Sequence, residues 1–225
     1  MYARMVVQSL FGFLWLGVML FVPAGRLDWP QAWAFMVLFI GAGLAIGLWL
    51  AKAHPDVLAA RMRPPLSGVQ KGSDRAIMAA LLIAFVGWFI FMGFDARVHW
   101  SPPVPLWAEA IGAGLLLYAF YGWYRVLAVN AFAATTIELQ SDRGQTVIST
   151  GPYAVVRHPM YAFALLFFAG IALLLGSLWG LAGLLVFTPI LMLRAAGEEA
   201  MLREGLAGYV DYAQKVRWRL VPLVW

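Results

Sequence analysis

The sequence contains no cysteine. Disulfides, cysteine-ligated metals and thiol catalysis are excluded by that alone, and no other residue pattern calls for a metal. Charge is scarce as well. Asp, Glu, Lys and Arg make up 12% of the 225 residues, about half of what a soluble domain of this size carries. No Lys/Arg-rich run is present, so the net charge of +5 does not point to a nucleic-acid partner. No G-x-G-x-x-G follows a strand pattern, and there is no P-loop, so no soluble nucleotide-binding motif exists. The apolar run that opens the chain lacks a small-residue cleavage site and reads as a first transmembrane helix, not a removed signal peptide. Internal repeats and low-complexity segments are also missing.

What is abundant is apolar surface. The chain is 63% hydrophobic, with a mean hydropathy of +0.80. Six apolar spans are expected, at 5–23, 31–51, 76–94, 105–129, 160–175 and 178–193. Each is about long enough to cross roughly 30 Å of hydrocarbon, the last two only barely. Gly176-Ser177 joins those last two in a tight helical hairpin, either a full crossing or a re-entrant one. With Met1 inside, every Lys and Arg except Arg26 and Arg97 falls on the inner side, including Arg63 and Lys71 in a Pro/Gly-rich loop. That bias places both termini in the cytoplasm, in a multi-pass protein of a bacterial inner membrane. Trp29, Trp33, Trp100, Trp107, Trp123 and Tyr124 sit near span ends, as an interfacial aromatic belt should. Gly41, Gly43 and Gly47 in span two, and Gly112 and Gly114 in span four, are read as close helix-packing positions.

The expected architecture is all-α and integral to the membrane: about six transmembrane helices plus cytoplasmic C-terminal helices covering a pocket. Residues 1–129 form an N-terminal four-span region. Residues 130–225 form a loop, the hairpin and an amphipathic tail, and the two regions make one integrated domain. Thr135 to Gln140 can be extended, Ser141-Asp142-Arg143-Gly144 is a turn signal, and Gln145 to Thr150 is β-branched and not helical. Helical spacing of Leu206, Tyr209, Val210, Ala213 and Val216 suggests a surface helix, with Lys215, Arg217 and Arg219 near lipid headgroups.

The chemistry concentrates in three polar clusters: 145–153, Arg157 to Tyr161, and Arg194 with Glu198 and Glu199. The hairpin brings the last two together, because a two-residue link makes its arms antiparallel. Each residue also has a bland reading. Arg157 can snorkel to phosphate, His158 can cap the following helix, Arg194 and Glu198 can be a simple i,i+4 pair, Glu199 can be solvated, and Tyr153 and Tyr161 can be anchors. Together they fit a ligand bearing both charge signs and an aromatic or apolar part, since ionisable groups at a membrane edge are costly unless paired or used. Glu198 can bind an ammonium or ribose hydroxyls. His158 and backbone N–H groups at 145–148 can hold a carboxylate or an adenine edge, and the tyrosines supply aromatic surface. Arg194 can hold an anionic group on a lipid substrate.

The run Gly151-Pro152-Tyr153…Arg157-His158-Pro159-Met160-Tyr161, an apolar hairpin, Arg194…Glu198-Glu199…Leu202, Tyr209…Tyr212 and Arg219-Leu220-Val221-Pro222 resembles the isoprenylcysteine carboxyl methyltransferase family. That family belongs to a wider group with the phospholipid methyltransferases. The likeness runs from about Asn130 to the C-terminus. It implies an integral-membrane methyltransferase using S-adenosyl-L-methionine in a cytoplasmic pocket closed by the tail, with a lipid substrate entering from the bilayer. Carried over by position, the cofactor contacts are Gln145, Thr146, Val147, Ile148, Tyr153, His158, Pro159, Met160, Tyr161 and Glu198. Glu138 or Gln140 corresponds to a further cofactor glutamine. Arg194 is the catalytic candidate that orients the acceptor, with Arg157 and Glu199 as further substrate contacts. Two other functions fit parts of the pattern. One is an NADPH-dependent reductase of the sterol-reductase type, which needs basic residues such as Arg143, Arg157 or Arg203 for the 2′-phosphate. The other is a non-catalytic lipid-binding membrane protein.

Overall fold

The computed structural model describes residues 2–62, 72–133 and 139–225. Arg63, Lys71 and the Thr135–Glu138 stretch lie outside the described residues. Eight α-helices run in chain order among those described: α1 Tyr2–Ala24, α2 Pro30–Ala53, α3 Pro55–Arg61, α4 Gly72–Val98, α5 Leu106–Val129, α6 Pro159–Leu174, α7 Gly183–Gly205 and α8 Tyr209–Lys215. This is an all-α protein. Five segments are long and apolar enough to cross a membrane: Arg4–Ala24, Pro30–Ala53, Asp74–Val98, Leu106–Val129 and Trp179–Gly205. It is a multi-pass membrane protein. The sixth apolar helix, α6, has 16 residues, which gives about 24 Å at 1.5 Å per residue.

Proline and glycine set the boundaries. His54 and His158 each precede a proline, and both hold non-helical backbones, at φ −145° and −123°. The ring of a following proline disfavours the helical region for the residue before it. Pro55 and Pro159 then open α3 and α6 at positions where a missing N–H costs nothing. Gly176, at φ +73°, ends α6. Its N–H reaches Leu173 O at 3.0 Å, and Ser177 N–H reaches Ala172 O at 2.9 Å. This is the paired-bond glycine cap that stops a helix and reverses the chain. A short 3-10 turn, Trp179–Ala182, then starts the return arm, so the expected hairpin forms.

Packing between α5 and α6 is backbone against backbone. A Cβ on Gly112 would overlap the main chain at Gly170 and Leu174. One on Gly170 would overlap Gly112, and one on Gly122 would strike the Phe163 ring. Of the glycines read as packing positions, Gly112 has that role, and Gly47 meets Met5. Gly41, Gly43 and Gly114 face open space instead, because they lie on helix faces turned away from the bundle. The aromatic belt also needs correction. Trp29 is buried edge-on against Phe21, with ring centroids 6.3 Å apart, and Trp123 donates to Met160 O at 3.0 Å. Trp29 is a core residue and Trp123 is half-buried against the core, whereas Trp33, Trp100 and Trp107 are exposed.

The two ends of the bundle differ. At one end, Asp95 in the last turn of α4 accepts from Ser101 N at 2.7 Å, from Ser101 Oγ at 2.6 Å, and from Ser177 Oγ at the hairpin tip. At the other end the N-terminal parts of α4 and α6 and the C-terminal parts of α3, α5 and α7 surround a cavity.

Candidate functional site

The cavity has a volume of about 390 Å³, within the usual range of roughly 300–1,000 Å³ for a small-molecule site. Gln145 to Ile148, Tyr153, Arg157 to Tyr161, Arg194 and Glu198 all line it. Of the residues proposed as cofactor or substrate contacts on the hairpin, its flanks and residues 145–153, Glu199 alone does not line it. Residues flanking the chamber at α4, α6 and α7 make one part of it apolar: Met78, Leu81, Ala164, Phe168 and Leu191. The remainder is polar and aromatic.

The difference between the two adjacent glutamates follows from helix geometry. Neighbours on a helix do not share a face. The Glu198 side chain is 31% exposed and faces the cavity, and that of Glu199 is 3% exposed and faces away. Glu198 accepts from the Tyr161 hydroxyl at 2.8 Å and lies 3.5 Å from His158 Nδ1. Glu199 lies 2.6 Å from Arg157 Nε, 3.2 Å from His158 Nε2 and 3.2 Å from Arg219 Nε, with Arg203 at 3.7 Å. The imidazole is thus held between two carboxylates and stacks on Tyr161, with ring centroids 5.6 Å apart and an interplanar angle of 10°. Burial draws the His158 pKa down. Hydrogen bonds and charge from both glutamates outweigh that, and the net shift is upward.

Arg157 has a structural occupation that the sequence did not suggest. Besides Glu199, its Nη1 donates to the backbone carbonyls of Ala213, Val216 and Arg217 at 3.2, 2.8 and 3.0 Å. The chain after α8 also runs beside residues 157–158, with Arg157 N to Trp218 O and His158 N to Arg219 O both at 2.9 Å. Arg157 and Glu199, expected as substrate contacts, form the clasp that docks the tail. Arg219, expected near headgroups, belongs to the same clasp and packs over the Trp225 ring at 4.8 Å. The tail helix covers seven residues, Tyr209–Lys215, fewer than its periodicity suggested. Gly208, at φ +81°, precedes it, and Val216 leaves it with an extended backbone. Tyr209, Tyr212 and Ala213 are buried beneath it.

Sequence reasoning missed several lining residues. Asn130 ends α5 and donates to the Tyr153 hydroxyl at 2.6 Å, while burial holds that phenol's pKa up. Tyr212 donates to Tyr153 O at 2.8 Å. Arg61, Met78 and Leu81 reach the cavity from the N-terminal region, which carries no recognisable motif. Their only advance signal was periodicity: Met78 and Leu81 fall one turn apart on one face of α4. Gln140 lines the cavity and donates to Phe132 O at 2.8 Å. Glu138, the other residue considered for that role, lies outside the described residues.

The donor set fits a charged, hydrogen-bonding cofactor. No backbone hydrogen bond joins Thr146, Val147 or Ile148 to another described residue, and all three line the cavity. The buried Tyr209 hydroxyl also has no hydrogen-bond partner among the described residues. Thr146 is exposed and Val147 and Ile148 are half-buried, so their backbone groups are open to the cavity, while the Tyr209 hydroxyl is a buried polar group of the kind that is normally satisfied.

Residues 110–207 match the phospholipid methyltransferase family model, a family that includes the isoprenylcysteine carboxyl methyltransferases. The match spans α5 through α7 and contains the hairpin, Arg194 and both glutamates. No curated protein matches the chain.

Proposed function

We propose that this chain, carrying a phospholipid methyltransferase segment across the helices that build its cavity, transfers a methyl group from S-adenosyl-L-methionine to a lipophilic acceptor. The acceptor is a prenylcysteine-like carboxylate or another lipid, and the reaction takes place at the cytoplasmic face of a bacterial inner membrane. The observation that carries this reading is a single chamber in which Glu198 and His158 share a polar half while Met78, Leu81, Phe168 and Leu191 line an apolar one. Such a chamber suits two partners of different polarity held side by side.

The cofactor supplies an electrophilic methyl group on a positively charged sulfonium. Glu198 offers a carboxylate to the cationic end or to ribose hydroxyls, and Tyr161 and His158 fix its orientation. The unpaired backbone of Thr146 to Ile148 offers hydrogen bonds to a base edge. Arg194 lies 5.7 Å over the Tyr161 ring, between the cofactor residues and the apolar wall, where it can orient the acceptor. Positioning of this kind supplies roughly 7–11 kcal/mol of a barrier. The docked tail excludes water.

The reductase alternative loses all three of its basic candidates. Arg143 and Arg203 do not line the cavity, and Arg157 is occupied by Glu199 and the tail carbonyls. The test is thermal unfolding of the detergent-purified protein with S-adenosylhomocysteine, with NADPH, or with neither. Stabilisation by S-adenosylhomocysteine alone is expected. Stabilisation by NADPH alone, or by neither, overturns the reading.

A further inference from the structure

Arg61 closes α3, outside the segment that carries the family match. This short helix buries Val57 and Leu58 against Leu50 and Ala51 of α2 and Leu127 of α5. Arg61 comes about one turn after them and shares their face, and its side chain reaches the chamber wall. There it is half-buried, with neither a hydrogen bond nor an ion pair among the described residues.

Charge balance singles it out. The other charged side chains that line the chamber are matched: Arg157 by Glu199 at 2.6 Å, Arg194 by Asp74 at 3.2 Å, and Glu198 by His158 at 3.5 Å. The Arg61 charge is matched by no described carboxylate. Burial pulls its pKa down, and the Tyr153 phenol works against that. A guanidinium nevertheless keeps its proton in a protein, so it cannot escape the cost of burial by becoming neutral. An anion arriving with a ligand relieves that cost.

The neighbourhood says which anion. Tyr153 lines the same chamber and feels the charges of both Arg61 and Glu198. Its hydroxyl accepts from Asn130 at 2.6 Å, which leaves the phenol's own proton to donate, and burial holds that proton in place. A carboxylate, an unmatched guanidinium and a phenol donor therefore serve one part of the chamber. That set complements a zwitterion, an ammonium and a carboxylate on one carbon. The cofactor of the methyltransferase reading ends in such a group.

We propose that Arg61, together with the Tyr153 hydroxyl, binds the α-carboxylate of S-adenosyl-L-methionine while Glu198 takes its ammonium. The inference rests on the methyltransferase reading and goes beyond it. The N-terminal region, which carries no motif, supplies a cofactor contact, and recognition depends on the amino-acid end as well as on the nucleoside.

The experiment uses the full chain in detergent and calorimetry with three ligands. These are S-adenosylhomocysteine, its carboxylate methyl ester, and 5′-methylthioadenosine, which keeps the nucleoside and thioether and lacks the amino-acid end. The wild type is expected to bind S-adenosylhomocysteine about tenfold more tightly than the ester, the size of one charge-assisted hydrogen bond. Arg61→Gln is expected to erase that preference: S-adenosylhomocysteine affinity falls about tenfold, and the other two ligands hold within about twofold. Arg61→Lys is expected to keep part of the preference. A wild type that binds the ester as tightly as the acid overturns the inference, whether or not the variants fold. So does an Arg61→Gln protein that keeps the wild-type preference or that weakens all three ligands equally. A carboxylate-headed single-chain amphiphile is the further arm, and a loss in Arg61→Gln confined to it assigns Arg61 to the acceptor and overturns the inference too. Failure of the wild type to bind either S-adenosylhomocysteine or 5′-methylthioadenosine sinks the methyltransferase reading instead, which separates the two failures.

Discussion

The two ends of this helix bundle solve opposite problems with the same kinds of residue. At the far end, both oxygens of Asp95 are matched by Ser101 and Ser177, and Ser177 Oγ in turn accepts from Gly180 N at 3.0 Å. At the site end, carboxylates are equally buried, but the polar accounting is left open. Among the described residues, Asp74 Oδ2, the Tyr209 hydroxyl and Glu199 Oε2 have no hydrogen-bond partner. A saturated polar cluster closes a fold, whereas at the site end one of the unpaired groups, the Tyr209 hydroxyl, belongs to a residue that lines the cavity. Within the site end the contrast repeats on a smaller scale, with Glu199 given to the tail clasp and Glu198 to the chamber.

The largest effect should come from the clasp. Glu199→Ala strands buried Arg157 and frees the tail, and breaking a buried pair of this kind costs about 3–5 kcal/mol. Chemical unfolding in detergent should show that loss, together with faster proteolysis after Gly205. A loss near zero would mean that the tail docks without its charges.

Next is Asp95→Ala, which removes charge-assisted hydrogen bonds at the saturated end, each worth about 1.5–3 kcal/mol. Stability should fall while S-adenosylhomocysteine affinity, measured by calorimetry, stays unchanged. Affinity falling in step with stability would erase the distinction between the ends.

Glu198→Gln should do the reverse. The melting temperature should hold, and S-adenosylhomocysteine affinity should drop about tenfold, or roughly 1.4 kcal/mol. Unchanged affinity would remove Glu198 from the cofactor site.

The smallest effect concerns pH. The His158 pKa is raised in the folded protein by its two glutamates, against the pull of burial. Its stabilising contribution is therefore complete below the unfolded value of about 6.5 and is lost as pH rises through the higher folded value. Melting temperatures of the wild type should decline over that interval more steeply than those of His158→Gln. Parallel curves would show that the imidazole is not charged there.

The spans, the hairpin and the site cluster were legible because their causes are local. Apolar runs of fixed length, a Gly-Ser link and a His-Pro junction act through their own backbone and their own burial. The N-terminal contribution to the cavity was not legible. Arg61, Met78 and Leu81 belong to ordinary apolar or basic patterns, and only tertiary packing turns them inward. The division of labour between Glu198 and Glu199 was half legible: one helical step separates their faces, but nothing local says which face meets the tail. The second occupation of Arg157 was not legible for the same reason, since its carbonyl partners lie more than 50 positions downstream.

The glycine seam between α5 and α6 also bears on traffic. Where two main chains touch with no room for even a methyl group, hydrocarbon has no doorway. The lipophilic acceptor proposed above would have to pass a different pair of helices, and α4, whose Met78 and Leu81 form part of the chamber wall, is one side that remains for it.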